Sequence, residues 1–137
     1  MRRKRLRLRD YDYSAPGAYF VTICTRARLP FLVGRLADDM ERHLIGLRER
    51  FPGVTIVEHT VMANHIHAIF LLDGRTRPLA GIVQAFKSLT TREIAPNWRP
   101  LWQRGYYEHV IRDDDELNMV REYVRNNPMA EMIKIGF

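Results

Sequence analysis

The chain has 137 residues, 46% of them hydrophobic, with a single cysteine, Cys24. That is one domain of ordinary size, able to bury a continuous core without a structural metal, and an intramolecular disulfide is excluded. The formal net charge is +6, but Arg2, Arg3, Lys4, Arg5, Arg7 and Arg9 are six of the 22 basic residues, which leaves sixteen basic against sixteen acidic groups in the rest.

The excess charge therefore sits in the first nine residues of an arm over residues 1–12, which reads either as a phosphate-contacting extension or as a solvated tail. The arm leads into Asp10-Tyr11-Asp12-Tyr13 rather than an apolar core with a cleavage site, and no apolar run approaches bilayer-spanning length. Neither export nor membrane insertion is expected, and a small apolar-flanked Cys24 fits a reducing, cytoplasmic setting.

Ala18 to Thr25, rich in aromatic and β-branched residues, predicts a first strand. Leu36, Met40, Leu44, Leu47 and Phe51 recur at helical spacing, with Asp38, Asp39 and Glu41 early and Arg48 and Arg50 late, so the pattern predicts one helix from Leu36 to Phe51, stopped by Pro52-Gly53. Val54 to Met62 and His65 to Leu72 predict an antiparallel pair of strands ended by Asp73-Gly74. Pro78 opens a second helix whose apolar stripe is Leu79, Ile82, Val83, Phe86 and Leu89; its polar side, with Gln84, Lys87, Ser88 and Thr91, suits a phosphate backbone or plain solvent. Trp102 to Ile111 predicts a fourth strand, and Asp113 to Asn126 a last helix with a capping box at Asp113 and Glu116.

The order β-α-β-β-α-β plus one helix is that of an α+β ferredoxin-like sandwich: a four-stranded antiparallel sheet, first and third strands central, two helices on one face. The other face is left for the added helix or a ligand. One domain spans residues 1–137 on this reading.

His65-Ile66-His67 carries the most chemistry. Residues two apart on a strand stand roughly 7 Å apart on the same face, so both imidazoles can converge on one divalent ion, or each can satisfy a local hydrogen bond. Two nitrogens do not complete a metal site, and a third ligand must come from elsewhere. Glu58, His59 and Asp73 are fallback ligands that also suit hairpin or surface positions. On the last helix Leu117, Val120 and Val124 form the core stripe, with Tyr123 at its edge, placed either to pack or to send its hydroxyl into a cleft. Asn127 lies one turn on, before Pro128.

Three stretches in this order, Asn64-His65-Ile66-His67, Leu101-Trp102-Gln103-Arg104-Gly105-Tyr106-Tyr107-Glu108-His109-Val110-Ile111-Arg112, and Glu122-Tyr123-Val124-Arg125-Asn126-Asn127-Pro128, resemble the HUH-type single-tyrosine DNA transposases, especially the REP-associated tyrosine transposases. The resemblance runs from about Ala18 to Met129. It implies a metal-dependent transposase that cleaves and rejoins single-stranded DNA through a 5′-phosphotyrosine on Tyr123, with His65, His67 and Asn127 holding Mg2+ or Mn2+. Many relatives carry glutamine where Asn127 stands. Hairpin-containing single-stranded DNA is the implied partner, in a nucleoid-associated, bacterial-type setting; relatives occur with the tyrosine helix serving its own subunit's histidines or a partner's, and the short tail after Pro128 leans toward a homodimer. Lys87, Arg104 and Arg112 are the candidate phosphate contacts, and Trp102 and Tyr106 the candidate base-stacking groups. A replication or relaxase-type nickase, a non-catalytic single-strand-binding module and a non-catalytic metal protein are the competing expectations.

Overall fold

The structure, a computed structural model, describes residues 17–75 and 77–126. The basic arm and Asn127 lie outside them. Four strands, β1 (Gly17–Cys24), β2 (Val54–Met62), β3 (His65–Leu72) and β4 (Tyr107–Ile111), form one antiparallel sheet in the order β2-β3-β1-β4. The central position expected of the first and third strands is what the sheet adopts, and both are buried along nearly their whole length. Near-continuous apolar sequence is what a strand covered on both faces requires.

Strand alternation sorts the residues into two layers. Tyr19, Val21, Ile23, Ile66, Ala68, Phe70 and Leu72 meet Met40 and Leu44 of α1 (Gly34–Ile45), Leu47 of α2 (Leu47–Arg50), and Ile82, Val83 and Phe86 of α3 (Leu79–Glu93). On the opposite face Ala18, Phe20, Ile69 and Ile111 meet Val120 and Val124 of α4 (Asp114–Asn126). The molecule is thus a ferredoxin-like α+β sandwich whose second sheet face is covered by the C-terminal helix. No helix among the described residues is long and apolar enough to cross a membrane.

Three boundaries differ from the sequence expectation. The first helix begins at Gly34, so its first turn carries no acidic residue and Asp38 and Asp39 fall in the second turn. It is also two helices, broken at Gly46, a residue whose missing side chain leaves the helical conformation weakly held. The fourth strand is shorter than Trp102 to Ile111: between the pairs Thr22/Tyr107 and Thr25/Trp102, two residues of β1 face four, Gln103 to Tyr106. This bulge is possible because Gly105 takes φ +77°, and the Lys87 ammonium holds it by donating to the carbonyls of Gln103 and Gly105. In α4, Asp113 caps as expected, accepting from the Glu116 N–H at 2.8 Å.

At the far end of the β2–β3 pair Gly53 has φ +100°, and an added Cβ would lie 2.3 Å from Asp73 Oδ1. Asp73 cannot swing freely, since it pairs with Arg75 and its own N–H bonds the Gly53 carbonyl at 3.0 Å. Gly53→Ala is therefore expected to destabilise the fold by about 1–3 kcal/mol in urea unfolding, with no change in the site 20 or so Å of strand away.

Candidate active site

His65 and His67 both point to the α4 face, as strand geometry expects, because they share it with Ile69. Both are buried, at 4% and 1% exposure, and their rings lie 4.6 Å apart. Each is fixed through Nδ1. His65 Nδ1 is 2.7 Å from Asn64 Oδ1, an atom that can only accept, so Nδ1 carries the proton and Nε2 the lone pair. His67 Nδ1 shares a 2.9 Å hydrogen bond with the Thr22 hydroxyl, and its ring stacks on Phe20 at 5.4 Å.

The Nε2 atoms of both histidines are buried with no hydrogen-bond partner. Buried polar atoms are nearly always satisfied, and two orphans side by side on one face are the arrangement of a pair of metal-ligating imidazoles oriented from behind. Burial pushes the pKa of His65 down, aided by the charge of Arg28; burial, then His65, then Arg28 push His67 down to about 3. Both rings are neutral near pH 7, the form that binds a cation. The residues present fit a divalent ion.

No third His, Cys, Asp or Glu completes a cluster among the described residues. Glu58 shares the face but is held by Arg125 at 2.6 Å and Arg121 at 3.4 Å, which keep its carboxyl below the usual range. His59 lies on the other face, 2.6 Å from Glu41. Asp73 sits at the opposite sheet end. The three fallback ligands are thus committed elsewhere. Cys24, the register partner of His65, is kept a thiol by burial.

The tyrosine helix is seated on the same face by its own chain. Thr60, the register partner of His67, donates its hydroxyl to the Val124 carbonyl, and Glu58 grips Arg121 and Arg125. Near the helix start Glu116 accepts from the Arg112 N–H at 2.8 Å and meets His109 Nε2 at 2.7 Å. Tyr123, half-buried, packs on the cluster containing Phe20 and Ile69, so its ring touches the layer on which His67 stacks. The last turn of α4 therefore lies one strand from His67.

The remaining expected residues divide into separate places. Lys87, Arg104 and Trp102 line one open groove of about 1010 Å³ between α3 and the 99–105 segment, together with Arg26, Arg92 and Arg99, and no acidic residue among those described lines it. Two of the three Lys87 donors are committed to the bulge. Trp102 is a core residue here, packed on Phe86 with its N–H bonded to Thr90 Oγ1 at 2.9 Å. Tyr106 packs on the helix-side core. Arg112 lies 3.6 Å from Glu116 at the sheet end away from the histidines.

Sequence reasoning missed Thr22, Thr60 and Arg28. The first two are set by strand register, which the sequence states only weakly. Arg28 follows Ala27 in a short 3-10 turn where both take positive φ, 52° and 53°, at a cost of order 1–2 kcal/mol each. The Arg28 carbonyl accepts from Asn64 Nδ2 at 3.4 Å, tying this corner to the side chain that orients His65.

Against this geometry, the sequence model of the IS200-like transposases matches residues 17–127, from the first residue of β1 to just past α4. The chain belongs to that family. An uncharacterised Haemophilus influenzae protein is 28% identical over 159 residues, covering 93% of this chain and 88% of its own. A candidate REP-associated tyrosine transposase of the same organism is 25% identical over 130 residues, covering 86% of this chain and 73% of its own. The fold is shared with a REP-associated tyrosine transposase solved with a REP hairpin, at TM-score 0.73 and 22% identity over 96% of this chain and 75% of that one.

Proposed function

We propose that this IS200-like transposase cleaves and rejoins single-stranded DNA next to a hairpin, with Tyr123 as nucleophile and His65 and His67 as ligands of Mg2+ or Mn2+. The observation that carries the reading is the pair of buried, partnerless Nε2 atoms beneath a helix whose last turn bears the tyrosine. The DNA partner is supported by family membership and by the hairpin held in the solved relative.

A bound divalent ion would polarise a non-bridging phosphate oxygen and help align it. The protein's own part is positional. Asn64 and Thr22 hold the imidazoles from behind; Thr60 and Glu58 hold α4 so that Tyr123 approaches from above. In the cleavage step the phenol loses its proton, its oxygen bonds to phosphorus, and the P–O3′ bond breaks to leave a 5′-phosphotyrosine and a 3′ hydroxyl. Attack by another 3′ hydroxyl reverses the step and rejoins DNA, so no nucleotide triphosphate is consumed. An unperturbed phenol has a pKa of about 10, so proton removal must accompany attack.

Because α4 is seated on its own sheet, the geometry supports a site complete within one protomer, which makes the expected homodimer unnecessary for chemistry. Asn127 follows directly on α4 and keeps its proposed place as third ligand. Arg28, beside the histidines, and the basic groove with Lys87, Arg99 and Arg104 are the proposed phosphate contacts, while Trp98, 40% exposed and 4.6 Å from Phe31, is a better stacking surface than Trp102.

The test is to incubate the protein with a labelled pool of hairpin-containing single strands and Mg2+ or Mn2+, then denature. A covalent protein–DNA adduct that disappears with chelator is expected. Binding without an adduct across the pool and both metals would reduce the protein to a binding module; an adduct with nicking but no joining would make it a nickase.

A further inference from the structure

β-Register aligns four residues in one row across the α4 face of the sheet: Thr60 on β2, His67 on β3, Thr22 on β1 and Tyr107 on β4. The first three are occupied, Thr60 by the Val124 carbonyl, His67 and Thr22 by each other. Helix α4 starts beside His109 and Ile111 of β4 and ends over Thr60 of β2, so along this row its last turn closes the β2 end while its start lies at the other end of β4. At the β4 end of the row Tyr107 is 55% exposed, the most exposed aromatic among the described residues. It stands two strand spacings from His67, roughly 10 Å.

Single exposed aromatics are common on proteins, and a tyrosine on an edge strand suits β structure alone. This one differs by its place. It forms the floor of the end of the histidine row that the last turn of α4 does not roof. A strand whose phosphate sits over the two Nε2 atoms has a path past that end, because the last turn of α4 occupies the β2 end. An unpaired base offers an apolar face and an aromatic floor offers the matching one.

We infer that Tyr107 is the stacking platform for an unpaired base flanking the scissile phosphate, so that it positions the substrate strand along the row that ends at His67. The inference rests on the single-strand reading of the site. It assigns to Tyr107 the role that residue type alone had given to Tyr106, whose ring packs on the helix-side core. The hydroxyl has no part in it; the ring does the binding.

The experiment uses the strand chosen from the labelled pool by adduct formation or, if none forms, by tightest binding, and compares the full-length protein with Tyr107→Phe and Tyr107→Ala. Tyr107→Phe is expected to bind within about twofold of the parent, and Tyr107→Ala about 5- to 150-fold more weakly, the range of one base stack. A set of strands with one abasic nucleotide at successive positions then locates the base: at one position the difference between parent and Tyr107→Ala is expected to vanish. An equal penalty at every position, or none with the intact strand, overturns the inference. Loss of adduct in Tyr107→Phe overturns it too, since that would make the hydroxyl the working group. Failure of the parent to form any adduct, with the abasic pattern present, would sink the catalytic reading and leave the stacking site standing.

Discussion

Tyr123→Phe is expected to eliminate the covalent protein–DNA adduct while leaving fold and strand binding in place. The substitution removes only the phenolic oxygen. The ring's contacts with the layer containing Phe20 and Ile69 stay, so stability should move by less than about 1 kcal/mol. Without that oxygen no P–O bond to the protein can form, and neither the metal nor the basic groove can substitute for it. His65→Ala should act differently, cutting adduct formation more than about 100-fold through loss of one proposed metal ligand, with the Tyr123 oxygen still present. Adduct yield on a denaturing gel, strand binding by anisotropy and urea unfolding measured on the same preparations separate the three effects. An adduct that survives in Tyr123→Phe would place the nucleophile elsewhere, and the exposed tyrosine on the histidine row, Tyr107, would be the first residue to examine.

The parts of this molecule that were legible in its sequence are those set by local periodicity. His65 and His67 share a face because they are two apart on a strand; Val120 and Val124 share one because they are four apart on a helix. Element order then sufficed for the sandwich and for the central place of β1 and β3. What stayed hidden depends on pairing between distant segments. Thr22 and Thr60 flank His67 only through register, and no local pattern marks either. The choice between Tyr106 and Tyr107 has the same origin: alternation puts them on opposite faces, but which face carries the histidines follows only from how β4 lies beside β1. Trp102 suited core packing or base stacking by residue type, and the indole N–H, satisfied in the interior by Thr90, decides for the core. Gly46 splits a helix whose apolar spacing runs on undisturbed, since periodicity reports the buried face and not the backbone's continuity.

The metal-free protein is expected to lose stability steadily as pH falls below about 6.5. His67 is held near a pKa of about 3 in the fold, against roughly 6.5 in the unfolded chain, and His65 is shifted the same way. Between those values the unfolded chain binds more protons, so stability rises with pH across the window and is flat above it. The slope from His67 alone is about 1.4 kcal/mol per pH unit, and its full extent is of order 5 kcal/mol, a large part of what a domain this size possesses. Glu58 and Glu116, whose carboxyls are held low by Arg125 and by His109, add a contribution that is constant down to the carboxylate range and is lost only as pH falls through it. The histidine effect is therefore isolated between about pH 6.5 and 5. Urea unfolding in chelator at half-unit pH steps measures it. His67→Leu paired with Thr22→Val, which removes the ring and the hydroxyl bonded to it, should flatten that window at some cost in packing. Added Mn2+ should steepen it: on the proposed reading the ion binds only neutral imidazoles, adding about 2.7 kcal/mol at a hundredfold excess over its Kd near pH 7.5 and losing that gain as the pH falls and protons compete for the rings. A parent protein with no stability change from pH 7 to 5, in chelator and in Mn2+ alike, would mean that the two Nε2 atoms are reached by water and are not the buried ligand pair on which the proposed chemistry depends.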